Sequence, residues 1–97
     1  MEEVTRLVGI PIKVVGMSHH VETNAELLSD VVECEREPDN PVDPFAVAVY
    51  SVGDGVRKKL GFIRKEIARL LLDQYLPRQG CITWKAEHPK RGILIEI

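Results

Sequence analysis

The sequence predicts a mainly β (α+β) domain: a small, curled antiparallel sheet or barrel of about six strands with one or two helices. Short apolar segments with a two-residue alternation recur along the chain. Turns rich in Gly, Pro, Asn and Asp separate them. One segment alone changes to a helical period. The 97 residues amount to one domain, spanning 1–97, that can bury one modest core. Hydrophobic residues make up 44% and charged residues 29%, a balance that excludes a disordered chain.

The elements follow in order. In "VGIPIKVVGM", residues 8–17, Val8, Ile10, Ile12 and Val14 alternate as on a half-buried strand, and Gly16 marks a bulge or turn-out. In "HHVETNAELL", Thr23 or Asn24 can cap a short helical turn with Glu26 in its first turn. "DVVECER" is a second strand, with Val32 and Cys34 on one face and Glu33 and Glu35 on the other. "FAVAVYSV" is nearly all apolar and reads as a central strand. "GDG", residues 53–55, is a hairpin turn leading into the strand "KKLGFI". In "RKEIARLLLDQYL" the period changes. Ile67, Leu70, Leu71 and Tyr75 predict a helix over residues 65–76 that packs by Ile67 and Leu71 and stops before Pro77. "CITWKAE" and "GILIEI" complete the strands. Trp84 shares a face with Ile82 and Ala86 and is expected in the core, as are Tyr50 and Tyr75.

Charge is unevenly distributed. Residues 1–56 hold 3 Lys/Arg against 11 Asp/Glu, and residues 57–97 hold 10 against 4, within a net charge of −2. Two solvated faces would account for this, and so would a basic surface for an anionic partner. Residues 57–59, "RKK", and 64–65, "RK", are either a solvated strand edge or a phosphate track. No run reaches the ~18 apolar residues of a membrane span. The acidic N-terminus, broken by Pro11 and Lys13, does not read as a secretory signal. Cys34 and Cys81 stand alone without a CxxC, so a reducing, cytoplasmic location is expected.

The segment "REPDNPVDPFAVAVY", residues 36–50, concentrates the chemistry. Pro41 and Pro44 fix their own φ and push Asn40 and Asp43 toward extended conformations. Asp39, Asn40 and Asp43 then sit in a stiff loop with Glu37 nearby. One reading is a turn whose Asx side chains bond their own backbone. The other is a pre-ordered set of acceptors for a ligand donor such as a sugar hydroxyl. A Ca²⁺ loop does not fit the spacing.

"VGMSHH", "REPDNPVDPFAVAV" and "KKLGFIRKEIARLL", in this order and spacing, resemble the HIRAN domain family from about Lys13 to Leu72. The resemblance implies an OB-like antiparallel β-barrel with a helix. It also implies a domain that, in eukaryotic DNA-repair remodellers, precedes a helicase motor and captures the 3′-hydroxyl end of single-stranded DNA. Position by position, it implies that Asp43 accepts from the terminal hydroxyl, that Asn40 helps hold that nucleotide, that Lys65 meets a phosphate and that Phe62 walls the site. Ser18, His19 and His20 stand where DNA-binding relatives carry a basic residue and two aromatics, and Val42 stands where they carry an aromatic. Histidine can still stack, and it gains charge as pH falls through ~6.5.

No GxxxxGK[ST] occurs in these residues, so the expectation is a free-standing or excised binding module that is not an enzyme. Zinc through His19, His20, Cys34, Cys81 or His88 lacks regularly paired ligands, and no metal or cofactor is expected. A nuclease built on Glu37, Asp39 and Asp43 lacks a matching motif. The partners expected are single-stranded DNA by its 3′ end, a helicase or nuclease acting in trans, and a second copy of the chain. The competing class is a protein-interaction or oligomerisation module, which an open edge on the terminal strand "GILIEI" would serve.

Overall fold

In the computed structural model, residues 10–17, 20, 24–87 and 91–97 are described. Val8, Ser18, His19, Thr23 and His88, named above, lie outside them. The strands are β1 (Ile12–Val15), β2 (Val31–Arg36), β3 (Val47–Gly53), β4 (Val56–Ile63), β5 (Arg78–Ala86) and β6 (Gly92–Glu96). One helical turn, α1 (Lys65–Ala68), follows β4, and 3-10 turns occupy Asn24–Glu26 and Asp73–Tyr75.

The strands close into a barrel in the order β1-β4-β3-β2-β5-β6, every neighbouring pair antiparallel. This is the small OB-like barrel that the sequence predicts. Alternation decides what faces inward. Val14, Val32, Val47, Val49, Leu60, Ile93 and Ile95 fill the barrel and are almost wholly buried. Closure removes the open edge expected of the terminal strand, because β6 pairs with β1 on one side and β5 on the other. Among the described residues, no helix is long and apolar enough to cross a membrane.

Two glycine positions follow from geometry. Asp54 and Gly55 take φ of 52° and 76° between the paired Gly53 and Val56, the two positive angles of a type I′ hairpin. At Gly61 a Cβ would collide with the Val15 carbonyl, so only glycine lets β4 and β1 approach this closely.

Two expectations need correction. The helix over 65–76 does not form as one element. It ends after a single turn, Leu72 is extended (ψ 143°), and a 3-10 turn follows. The Arg36 guanidinium, from β2, caps this end: it donates to the Ala68 carbonyl at 3.0 Å, which also accepts from Leu71 N–H at 3.3 Å, and to the Leu71 carbonyl at 2.7 Å. Tyr75 N–H turns instead to the Leu72 carbonyl. Leu71 is buried and Ile67 packs against the core, whereas Leu70 and Leu72 are exposed.

Trp84 is likewise not in the core but 51% exposed. The β5–β6 register shifts between Ile82, opposite Ile95, and Trp84, opposite Leu94. One extra residue reverses the alternation, so Ile82 faces in and Trp84 faces out. Tyr50 and Tyr75 are half-buried, and Tyr75 packs against the core cluster.

Candidate nucleic-acid interface

The proline-stiffened segment closes on itself between β2 and β3. Glu37 N–H donates to the Ala46 carbonyl at 2.8 Å, Asn40 N–H to the Glu37 carbonyl, and Ala46 N–H to the Asp43 carbonyl, the last two at 3.0 Å. Asn40 Oδ1 accepts from the Val42 and Asp43 amides at 2.9 and 3.0 Å, and Asn40 Nδ2 donates to Glu37 Oε1 at 2.8 Å. Glu37 Oε2 in turn meets Lys59 Nζ at 2.5 Å. The Lys59 ammonium, and then the Asn40 amide, hold the Glu37 carboxyl below its ordinary pKa. Asx side chains bonding their own backbone therefore build this loop, as the first of the two readings anticipated.

That construction leaves part of the acceptor set unused. Asn40 Oδ1 is fully committed, so Asn40 shapes the loop and retains one amide hydrogen for a ligand. Asp43 Oδ1 accepts from Phe45 N–H at 2.9 Å and lies 3.7 Å from the Arg69 guanidinium. The Asp43 side chain is 17% exposed. A carboxylate has acceptor capacity beyond these two partners.

Above the loop lies a cavity of about 410 Å³ lined by Val15, Asn40, Val42, Asp43, Ala46, Phe62, Ile63 and Lys65. Its floor is the outer surface where β1 meets β4, with Val15 opposite Phe62. Lys65, the first residue of α1, contributes to its lining, is exposed and has no carboxylate within 4 Å among the described residues. Thus Asn40, Val42, Asp43, Phe62 and Lys65, five of the sequence candidates, converge on one cavity. His20 adjoins it, its ring 5.8 Å from that of Phe62 in an edge-on arrangement. Ser18 and His19 lie outside the described residues. Val42 is 91% exposed and, lacking a ring, offers an apolar lip rather than a stacking face.

Each cation of residues 57–59 is paired with a glutamate. Arg57 bridges Glu33 at 3.0 Å and Glu35 at 3.4 Å and lies over the Tyr50 ring. Lys58 meets Glu26 at 3.1 Å, and Lys59 meets Glu37. Much of the sequence's charge asymmetry is spent inside the molecule, because β3 sets acidic β2 and basic β4 on its two sides.

Two residues that touch the loop of the candidate site have partners that the sequence does not announce. Arg69 stands beside Asp43 and over the Phe45 ring at 5.4 Å. Arg36 donates to the carbonyls of Phe45, Ala68 and Leu71 and to Asp73, tying the loop to α1. The Arg of "REPDNP" was visible, but its partners are long-range. Metal binding gains no support from the described residues, among which no cluster of three His, Cys, Asp or Glu is placed to hold an ion. Cys34 is buried, and burial pushes its thiol up to about 12, whereas Cys81 is exposed.

A closed barrel with a cavity on its outer surface, lined by apolar side chains together with Asp43 and Lys65, has the form of a small binding module. The HIRAN domain family model matches residues 10–87, and the chain belongs to that family. HIRAN domains are nucleic-acid-binding modules with no catalysis of their own. No curated protein and no solved structure matches the chain.

Proposed function

We propose that the domain binds single-stranded DNA by its 3′-hydroxyl end and that the terminal nucleotide occupies the cavity between the 37–46 loop and α1. The observation that carries this reading is the convergence of a carboxylate, an aromatic wall and a lysine with no ion pair among the described residues: Asp43, Phe62 and Lys65 line one space. In this reading Asp43 accepts from the terminal hydroxyl, Phe62 contacts the sugar or base, and Lys65 meets the adjoining phosphate. His20 extends the Phe62 wall, and with Ser18 and His19 it supplies the position that holds the end nucleotides. Binding is non-enzymatic, and a helicase or nuclease would act on the same end in trans, in a DNA-repair setting. The closed barrel removes the strand-edge route to the competing protein-interaction reading.

The test is a titration with labelled single strands that differ only at the 3′ end. A hydroxyl end should bind about tenfold tighter than a 3′-phosphate end, because the phosphate loses a donor to a charged acceptor and adds charge beside it. Asp43→Ala should weaken the hydroxyl-ended strand and erase the preference. Equal affinity for the two ends in the unmutated protein would leave the loop as a stiff turn only.

A further inference from the structure

The outer surface of the barrel offers a strand two ways out of the cavity, and they differ in charge. Across β4, β3 and β2 the surface carries Lys59, Arg57, Glu33, Glu35 and Glu37, with the cations already paired to the acids. A polyanion gains little there. Across β1, β6 and β5 the register aligns Lys13 with Leu94 and Leu94 with Trp84. Lys13 lies two residues before Val15 on β1 and therefore on the same outer face as that cavity residue. Lys13 is exposed and has no carboxylate within 4 Å among the described residues.

Trp84 is also unlike the other aromatics. Tyr50 lies under Arg57, Phe62 under Lys59, Phe45 under Arg69 and Tyr75 under Arg78. Among the described residues, Trp84 alone of the Phe, Tyr and Trp rings has neither a cation nor another ring on it, and it is half exposed. Its six-membered ring rests at Gly92, where an added Cβ would come within 3.1 Å of Cζ3. The absence of a side chain there gives the ring its seat on the barrel. The β5 bulge turns outward a large apolar ring that strict alternation would have buried.

We infer that Trp84 is a second stacking platform for the same single strand, reached past Lys13 from the end-binding cavity. Two strand spacings and one two-residue step put it about 12 Å from the cavity wall. That lies within the span of the ~4 or more nucleotides covered by an OB-type fold. Lys13 meets a backbone phosphate on the way, and a base 5′ of the terminal nucleotide stacks on the indole. This inference rests on the end-binding reading and extends it from a pocket to a track of defined direction.

Trp84 is the protein's one tryptophan, so its own emission reports the contact. Unlabelled oligothymidylates of two to eight nucleotides, all with 3′-hydroxyl ends, are titrated into the full chain. Emission should be quenched by the longer strands and not by the dinucleotide, and affinity should rise about tenfold over the same range. Trp84→Ala should flatten that length dependence and leave the hydroxyl-to-phosphate ratio unchanged. Trp84→Phe, which keeps a ring, should retain most of it and guards against a folding artefact. Tight binding of six nucleotides with unchanged tryptophan emission, or the same length dependence in Trp84→Ala, would overturn the track and leave the cavity reading intact. Length-dependent quenching without discrimination between 3′ ends would do the reverse. No binding of any strand would remove both.

Discussion

Two basic segments, residues 57–59 and residues 64–69, look alike in the sequence and differ in the fold. In the first, Arg57, Lys58 and Lys59 each meet a glutamate within 3.5 Å. They hold the outer surface of β2, β3 and β4 together and leave little charge for a ligand. In the second, Arg64 and Arg69 make only longer contacts, 3.6 Å to Glu66 and 3.7 Å to Asp43, and Lys65 has no ion pair among the described residues. The difference arises from register. A strand places its side chains opposite whatever its neighbours carry, whereas Lys65, the first residue of α1, has no carboxylate within 4 Å among the described residues. In the proposed reading, Lys65 in the cavity lining matters more than a count of lysines and arginines.

Arg36→Ala should break the comparison most severely. It removes a donor from each of the Phe45, Ala68 and Leu71 carbonyls and unties α1 from the loop. A loss of about 3 kcal/mol is expected, or a fall in Tm of more than about 10 °C, read by thermal unfolding. Arg36→Lys should recover little, since an ammonium cannot span the same acceptors.

Glu37→Gln tests the paired side through pH. The Glu37 carboxyl titrates below its ordinary 4.5 because Lys59 and Asn40 favour the charged form. A depressed folded-state pKa contributes stability that is fully present above the unfolded value and is lost as pH falls through the folded one. The wild type should therefore lose stability as pH drops below about 4.5. Glu37→Gln should be less stable by about 1 kcal/mol at neutral pH and should lose less on acidification, as measured by urea midpoints across that range.

Arg69→Ala has a smaller effect and sharpens the site instead of breaking it. With the guanidinium 3.7 Å from Asp43 removed, the carboxylate's charge is less compensated. Discrimination against a 3′-phosphate should rise about two- to threefold, the scale of a half-exposed ion pair, in the same titration that tests the end preference.

Much of the fold was legible because its signals are local. Alternation marked β1 and β2, a nearly all-apolar run marked β3, turn residues bounded the remaining strands, glycines marked the β3–β4 hairpin, and prolines with Asx residues marked the closed loop. The convergence of Asn40, Val42, Asp43, Phe62 and Lys65 followed from a motif whose order and spacing carry a family resemblance. What the sequence hid depends on distant partners. The early end of α1 is capped by Arg36, which reaches it from β2. The outward turn of Trp84 comes from one extra residue against β6, and nothing in "CITWKAE" announces it. Arg69 reaches Asp43 only once α1 is docked, and the pairing of β2 glutamates with β4 cations needs β3 between them.

The most direct test of the cavity as the proposed interface is the salt dependence of single-strand binding in two lysine variants. On single strands each phosphate contact contributes about −0.7 to the log–log slope of affinity against salt. Lys65→Ala should make the slope shallower by about that amount and weaken binding at low salt. Lys58→Ala, which removes a cation already paired with Glu26, should leave both unchanged. Equal changes in the two variants, or a larger one at Lys58, would contradict the account.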